Sequence, residues 1–281
     1  MKKILVLCLT FVMAMSVLAG CGSKEAVTAK VIDIELTNED YAFGVDKTQP
    51  ELLEKTNAFI AEIKANGTFE EICNKYFGDG TPTAVTSAKE DPSKDQLVVA
   101  TNAAFEPFEF MQGDNYVGID MEIAALLAEY LGKELVIQNM DFDAVCLAVG
   151  QQKCDIAMAG LTINEEREEF VTFTDSYYSA SQKLIVTSDN TEFDACTDAA
   201  AVEAILNGKD DKVKVGVQTG TTGQLYCEGD ADWGFTGYGM STIGYKNGSL
   251  AVQDLLNGNI QYVIIDSAPA ACITEAINEL Q

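Results

Sequence analysis

An arginine and an aspartate, each following an apolar segment, are the residues of this chain that most clearly suit a binding site. Arg167 comes shortly after the apolar run 155–159, with Thr162 between them, and Asp266 closes the apolar run 262–265. A guanidinium binds a carboxylate through two parallel hydrogen bonds, and a carboxylate pairs with an ammonium group. If the two side chains converge, they would suit a zwitterion such as a free α-amino acid.

Each of these residues also has an ordinary structural interpretation. Arg167 lies within the charged run 165–169 and could be solvated, while Asp266 could cap the helix that follows it. Thr162 could be a β-branched loop residue, and Gly160 could present its carbonyl to a ligand or simply make a turn. The position of Gly160 and Thr162 directly before the charged run favours a binding site.

Strands and helices alternate along most of the chain, which predicts two open α/β lobes with mostly parallel sheets. The predicted strands are 97–101, 135–139, 155–159, 214–217 and 262–265, and the predicted helices are 120–131, 143–151, 223–228, 250–256 and 269–279. Ligands of such sheets bind outside the carboxyl ends of the strands. Asn102, Gly160 and Asp266 lie at such ends.

Two further motifs carry a resemblance to a known family. The segment 97–108, followed by Gly118-Ile119-Asp120, and the segment 216–222 are similar to the amino-acid-binding proteins of ABC transporters, extracellular solute-binding family 3. The resemblance covers nearly the whole mature chain. It implies a periplasmic-binding-protein-like type II fold, in which two open α/β lobes are joined by two hinge crossings.

The resemblance also implies a ligand site built from both lobes. Arg167 would bind the carboxylate of an amino acid, Asp266 would bind the ammonium, and Thr162 would contact both. The remaining implied ligand residues are Asn102, Phe105, Phe142, Gly160, Gln218, Thr221 and Thr222. Thr221 and Thr222 open a helix whose free N–H groups suit a carboxylate, although they could be a plain cap. Phe105 and Phe142 could instead belong to the core.

Two amide residues bear on specificity. Asn102 stands where many relatives of this family carry Asp, and Gln218 stands where glutamine-binding relatives carry Lys. A neutral amide at position 102 favours a polar, uncharged ligand side chain, such as that of glutamine, over lysine or arginine. Cystine also fits this pattern.

The matching segments do not follow the family order, because the segment 41–80 resembles the end of the pattern and yet comes first. The interpretation we favour is a circularly permuted monomer. Lobe 1 would then be 41–186, with a linker at 79–96, and lobe 2 would be 30–40 with 187–281. Permutation is tolerated when chain ends are close and exposed. A domain-swapped dimer and a misjoined sequence are the alternatives.

The start of the chain resembles a bacterial lipoprotein signal. Lys2 and Lys3 precede a short apolar run, and Leu18-Ala19-Gly20-Cys21 resembles a lipobox. We expect residues 1–20 to be removed, Cys21 to be lipid-modified and residues 21–29 to form a tether. The protein would then be lipid-anchored on the outer face of the cytoplasmic membrane or in the periplasm. An uncleaved anchor or an ordinary signal peptide is the alternative.

Composition excludes several other classes of partner. The formal net charge of −26 argues against binding to nucleic acid or docking on anionic lipid by charge. The chain has no His, and the cysteines beyond Cys8 and Cys21 have no Cys-x-x-Cys spacing, so we expect no metal site and no cofactor. Those cysteines could form disulfides or remain free thiols.

The function that we predict is a receptor, not an enzyme. It would bind a free amino acid between its lobes and deliver it to the membrane subunits of an ABC permease. A ligand-sensing lipoprotein and a dehydratase-like enzyme on the same scaffold are the alternatives. The sequence has no His and no recognisable Ser–base spacing for a general base, although Asp and Glu remain available.

Overall fold

A computed structural model describes residues 27–280. The predicted signal peptide (1–20), the predicted lipidation site Cys21 and most of the predicted tether (21–29) lie outside the described residues. Within the described part, no helix combines the length and apolar character needed to span a bilayer.

The strands follow the chain in this order: β1 (Ala29–Ile32), β2 (Glu39–Tyr41), β3 (Gly44–Asp46), β4 (Gln96–Thr101), β5 (Ala104–Phe105), β6 (Glu109–Gln112), β7 (Asn115–Val117), β8 (Glu134–Asn139), β9 (Ile156–Ala157), β10 (Val171–Phe173), β11 (Tyr178–Ala180), β12 (Gln182–Thr187), β13 (Lys214–Gln218), β14 (Ser241–Tyr245) and β15 (Tyr262–Asp266).

The helices are α1 (Pro50–Ala65), α2 (Thr68–Phe77), α3 (Ile119–Leu131), α4 (Val145–Gly150), α5 (Glu165–Glu168), α6 (Ala199–Asn207), α7 (Thr222–Glu228), α8 (Gly248–Leu256) and α9 (Ser267–Asn278). Asn164, Asp198 and Asn247 cap α5, α6 and α8, since each side chain accepts a hydrogen bond from the first turn. A 3₁₀ turn (Phe142–Ala144) leads into α4.

Each lobe is built on a five-stranded sheet. Lobe 1 has the order β10-β3-β9-β4-β8, and lobe 2 has the order β1-β12-β15-β13-β14. β4 runs parallel to β8 and β9, whereas β3 runs antiparallel to both β9 and β10. In lobe 2, β13 is parallel to its neighbours and β12 is antiparallel to β1 and β15. Both sheets are thus mixed. β3 and β12 follow the hinge strands β2 and β11 directly, without a crossover helix, and each pairs antiparallel with its neighbours.

The segment before the linker is integrated into both lobes. β1 pairs with β12 at the edge of the lobe 2 sheet, and β3 lies inside the lobe 1 sheet. Phe59, Ile60 and Ile63 of α1 are buried in the same apolar core as Leu97 of lobe 1.

The two ends of the described chain are neighbours in lobe 2. The Asn278 side chain accepts a hydrogen bond from Ala29 N at 2.9 Å and donates one to Ala29 O at 2.8 Å. The last helix therefore ends where the first strand begins.

The hinge between the lobes is the antiparallel pair of β2 and β11, with Tyr41 opposite Tyr178 and Glu39 opposite Ala180. The boundary predicted at residue 186 is wrong, because β12 (Gln182–Thr187) already belongs to the lobe 2 sheet. Its central residues Leu184 and Ile185 are fully buried there. Burial of this apolar strand beside β15 moves the crossing to the residues before 182.

The predicted linker 79–96 runs along lobe 1. Val85 exchanges backbone hydrogen bonds with Tyr116 at 2.8 and 3.0 Å, and Thr83 N donates to a carboxylate oxygen of Glu122 at 2.8 Å. Gln96 already opens β4, so the linker ends one residue earlier than predicted. These contacts hold the connection between α2 and β4 on the surface of lobe 1.

The cysteines of the described chain are free thiols, namely Cys73, Cys146, Cys154, Cys196, Cys227 and Cys272. Cys146, Cys154 and Cys227 are buried. The sequence left open whether these cysteines form disulfides or remain free thiols, and in the structure they are free thiols.

Candidate functional site

Arg167 lies in α5 at the boundary of the lobes. Asn164 fixes the start of this short helix by accepting a hydrogen bond from Arg167 N at 2.8 Å. The Arg167 side chain is only 8% exposed. Its Nη1 donates to Thr162 O at 2.6 Å, and its Nη2 donates to Gly220 O of lobe 2 at 3.1 Å. The guanidinium therefore bridges the lobes and is not a solvated charge.

Phe142 lies beside this guanidinium. The Arg167 Cζ atom is 5.1 Å from the centre of the Phe142 ring, a cation–π distance. A Cβ atom added to Gly220 would come within 3.6 Å of the same ring. Phe142 thus packs against Arg167 from its own lobe and against Gly220 from the other.

Asp266 ends β15 and is 4% exposed. The Tyr41 hydroxyl donates to its Oδ1 at 2.5 Å. Asp266 occupies the N-cap position of α9, but its side chain makes no capping hydrogen bond. Burial raises the pKa of Asp266 to about 7, and the nearby Glu39 carboxylate adds to the shift.

Glu39 is a buried acid near both predicted charges, and the sequence patterns did not single it out. This buried hinge residue accepts hydrogen bonds from Thr162 Oγ1 at 2.7 Å and from Gln182 Nε2 at 2.9 Å. Thr162 in turn accepts from Arg167 through its carbonyl. A chain of hydrogen bonds therefore runs from Arg167 through Thr162 and Glu39 to Gln182, which lies opposite Asp266 in the pairing of β12 with β15.

Asn102 and Gln218 face each other across the lobes. Asn102 follows β4, Gln218 ends β13, and Gln218 Nε2 donates to Asn102 Oδ1 at 3.1 Å. Asn102 Nδ2 is held by Met140 O at 2.6 Å. Gln218 is 1% exposed, and its Oε1 atom is buried without a hydrogen-bond partner.

Gly160 allows the loop after β9 to approach an aromatic ring. Its φ of +54° lies in the left-handed region, and an added Cβ would lie 3.0 Å from Phe105 Cε1 and 3.4 Å from Tyr41 Cε2. Gly160 N donates to Asp120 Oδ2 at 2.9 Å. Phe105 is buried beside this loop, next to the hinge tyrosine.

Thr221 and Thr222 lie at the start of α7 in lobe 2, and both are buried. Thr221 Oγ1 donates to Gln218 O at 2.8 Å. Thr222 Oγ1 is buried without a hydrogen-bond partner. The Thr221 hydroxyl is thus used within the loop, whereas the Thr222 hydroxyl is free for another group.

Some buried side-chain atoms of the protein have no hydrogen-bond partner, and several of them lie at this interface. Within residues 27–280 they belong to Thr101, Glu109, Ser181, Gln182, Gln218, Thr222 and Thr274. Buried polar atoms are normally hydrogen-bonded, since leaving one unpaired costs about 1–3 kcal/mol. Gln182, Gln218 and Thr222 all lie where strands or a helix of lobe 2 face lobe 1. The interface is therefore equipped for a further polar group.

Two more buried acids lie behind the site. Burial raises the pKa of Asp120 to about 7, although Gly160 N and the Tyr177 hydroxyl both donate to it. Burial raises the pKa of Glu109 well above its ordinary value, with the Asp120 and Asp266 charges adding to the effect. The sequence did not mark Glu109, and it marked Asp120 only as part of the Gly118-Ile119-Asp120 motif and not as a site residue. Only the tertiary fold brings Glu109 near both Asp120 and Asp266.

A cavity of about 280 Å³ opens beside the network. Lobe 1 contributes Phe142 and Arg167 to its lining, and lobe 2 contributes Gly220. Asp266 does not line this cavity, and its carboxylate accepts a hydrogen bond from the Tyr41 hydroxyl. Among residues 27–280 there is no group of His, Cys, Asp and Glu side chains arranged to hold a metal ion.

Two mixed α/β lobes, joined at a two-stranded hinge with a polar site between them, define the periplasmic-binding-protein-like type II class. The chain belongs to the bacterial extracellular solute-binding proteins, family 3, whose sequence profile matches residues 97–269.

Curated relatives are named as amino-acid-binding proteins. The arginine-binding extracellular protein ArtP of Bacillus subtilis is 34% identical over 110 residues, which cover 39% of this chain and 43% of the relative. The histidine-binding periplasmic protein of Salmonella typhimurium is 27% identical over 178 residues, which cover 63% of this chain and 62% of the relative. The chain thus spans less than two thirds of the length of these relatives.

Solved structures of amino-acid-binding proteins superpose on this chain and have the same fold class. An ancestral arginine-binding protein bound to arginine superposes with a TM-score of 0.55 at 33% identity, over 65% of this chain and 75% of that one. The ancestral amino-acid-binding protein AncCDT-1, a precursor of cyclohexadienyl dehydratase, gives a TM-score of 0.55 at 29% identity over the same shares of the two chains.

Proposed function

We propose that this protein binds a free amino acid between its lobes and presents it to an ABC-type permease. The observation that supports this most directly is the interlobe network from Arg167 through Thr162 and Glu39 to Gln182, which lies opposite the buried Asp266 in the pairing of β12 with β15. It offers a guanidinium for a carboxylate and a carboxylate for an ammonium. The named relatives that bind arginine or histidine support the same class of ligand.

We propose further that the ligand has a polar, uncharged side chain with an N–H donor, as in glutamine. Gln218 Oε1 is a buried acceptor without a partner, and a donor from the ligand would satisfy it. Asn102 adds no charge that would favour lysine or arginine. An ancestral arginine-binding protein that is 30% identical to this chain has been solved with glutamine bound, which supports this class of ligand.

The assembly that fits this function is a lipid-anchored receptor outside the cytoplasmic membrane. The lipobox-like Leu18-Ala19-Gly20-Cys21 supports an anchor at Cys21. The partners would be the amino acid, the bilayer and the membrane subunits of the permease. The protein would act as a monomer, without a cofactor and without nucleic acid.

We also propose that the chain is a circular permutation of the family order. The family profile matches only residues 97–269, yet the segment that forms β1, β3, α1 and α2 completes both lobes. The hydrogen bonds between Ala29 and Asn278 support a former connection at that point.

The test of the ligand is a thermal-shift panel across the common amino acids, followed by calorimetry. We expect glutamine to bind with 1:1 stoichiometry and glutamate to bind at least tenfold more weakly, since its carboxylate cannot donate to Gln218 Oε1. Asn102→Asp should move the preference toward basic amino acids, with Asn115→Asp at the start of β7 as a control. A panel in which no amino acid raises the melting temperature would refute the proposal.

A dehydratase-like enzyme is the second candidate. The observation that favours it is the buried set of Glu109, Asp120 and Asp266, whose raised pKa values would suit a general acid. Turnover of cyclohexadienyl acids by the purified protein, followed by the ultraviolet absorbance of the aromatic product, would favour the enzyme. We expect no turnover.

A further inference from the structure

The carboxylate of Glu39, in the hinge strand β2, contacts both lobes. Its Oε1 accepts hydrogen bonds from Thr37 Oγ1 at 2.6 Å and from Gln182 Nε2 of lobe 2 at 2.9 Å. Its Oε2 accepts one from Thr162 Oγ1 of lobe 1 at 2.7 Å. Glu39, Thr162 and Gln182 are each at most 2% exposed, so these bonds are shielded from bulk water.

The bond to Glu39 fixes the direction of the Thr162 hydroxyl. A hydroxyl carries one hydrogen and two lone pairs, whereas an ionised carboxylate can only accept. The hydrogen on Thr162 Oγ1 therefore points at Glu39 Oε2, and the lone pairs of Oγ1 remain for another group. The Thr162 side chain can thus accept a hydrogen bond from a ligand, but it has no hydrogen left to donate.

The Glu39 carboxylate is held in its orientation from the hinge and from lobe 2. Thr37 Oγ1 accepts from Gln182 N at 2.8 Å and gives its own hydrogen to Glu39 Oε1. Two donors therefore converge on Oε1 and one on Oε2. An amide at position 39 would place its carbonyl oxygen where the two donors meet, because buried donors need an acceptor, and its NH₂ group would face Thr162.

We propose that Glu39 is a positioning residue of the amino-acid site, which makes the Thr162 hydroxyl an acceptor for the ammonium group of the ligand. Thr162 O accepts from Arg167 Nη1, so the same residue also orients the guanidinium that would bind the ligand carboxylate. An α-amino acid is thereby favoured over a deaminated acid, which has no N–H group at its α-carbon. This inference rests on the proposed binding of an amino acid and adds a residue that acts through Thr162.

Glu39→Gln reverses the polarity of this contact without changing its shape. The new amide would donate to Thr162 Oγ1 and turn the hydroxyl hydrogen toward the ligand ammonium, so that donor faces donor. Calorimetry on the full mature chain should show L-glutamine binding at least tenfold more weakly than in the natural protein. Glu35→Gln is the matched control, since it removes the same charge at an exposed position, and it should bind within twofold of the natural protein. Circular dichroism checks the fold.

A double-mutant cycle separates this positioning from the charge of Glu39. In a Thr162→Val background the hydroxyl is absent, so Glu39→Gln should change the affinity for L-glutamine less than twofold. In a Thr162→Ser background the hydroxyl remains, and the tenfold effect should persist. Equal losses in the Thr162→Val and natural backgrounds would show that Glu39 acts by its charge and would overturn the proposal, as would an unchanged affinity in Glu39→Gln. A natural protein that binds no amino acid would refute the proposed function, and this role of Glu39 with it.

Discussion

At the scale of single residues, Arg167 already has hydrogen-bond partners in both lobes. Its guanidinium ties Thr162 to Gly220 of the opposite lobe and stacks beside Phe142. A guanidinium carries several N–H donors in a planar fork, so these bonds leave donors for a carboxylate. The same side chain can therefore stabilise the contact of the lobes and bind a ligand.

Replacing Arg167 tests this assignment. We expect Arg167→Ala to weaken amino-acid binding by about 2–5 kcal/mol, because a ligand carboxylate would be buried without its partner. Arg167→Lys should recover part of the loss, since an ammonium keeps the charge but not the fork. Calorimetry measures both affinities, and circular dichroism checks the fold. Unchanged affinity in Arg167→Ala would remove this residue from the site.

Asp266 should make both stability and binding depend on pH. Its folded pKa of about 7 lies above the ordinary carboxyl value, so between these values the folded chain holds a proton that the unfolded chain has lost. Stability of the ligand-free protein should therefore fall as pH rises from about 4 to 7. Ligand affinity should rise over the same window, because an ammonium requires the ionised carboxylate.

Melting temperatures and calorimetric affinities between pH 5 and pH 8 measure these two trends. Asp266→Asn is the control, since Asp120 still titrates in that variant and only the contribution of residue 266 is lost. We expect a flatter dependence of the melting temperature on pH in Asp266→Asn. Parallel curves for the two proteins would contradict the assignment.

At the scale of elements, the site depends on loops that follow strands. The turn at Gly160 brings its backbone against Phe105, and β2 places Glu39 and Tyr41 between the lobes. The alternation of strands and helices predicted most of these elements. It missed α6, β14 and the hairpin of β6 and β7.

Gly160→Ala should affect both stability and binding. A left-handed conformation costs about 1–2 kcal/mol for a residue with a Cβ atom. That atom would also lie 3.0 Å from Phe105, so the ring must shift and ligand affinity should fall. Gly113→Ala is a matched control, because its φ is +62° and nothing lies within 4 Å of the added atom. Chemical denaturation and calorimetry should show a loss of stability in both variants and a loss of affinity only in Gly160→Ala.

At the scale of the whole molecule, the unusual feature is the order in which the segments of the two lobes follow each other along the chain. The residues that complete the lobe 1 sheet, in β3, precede the rest of that lobe, and the two ends of the described chain meet in lobe 2. A segment of the chain thus crosses the hinge before the family match begins at residue 97.

Restoring the family order tests the permutation. A chain that runs from 96 to 280 and continues through a short Gly-Ser link into 27–78 should fold as a monomer and bind its amino acid within threefold of the natural chain. Light scattering gives the mass, and calorimetry gives the affinity. A natural chain that is a dimer beside a monomeric rearranged chain would establish a domain swap instead, and a rearranged chain that does not fold would refute the permutation.

The sequence by itself determined the family, the two-lobed α/β class and the placement of Asn102, Arg167 and Asp266 beside strand ends, because periodicity and short motifs are local properties. It could not reveal Glu39 as the link in the network, nor the Tyr41–Asp266 hydrogen bond, whose partners are 225 positions apart. Only the tertiary structure decided which groups meet between the lobes. The physical reason is that burial and pairing of polar groups depend on the neighbours supplied by the folded sheets, and not on spacing along the chain.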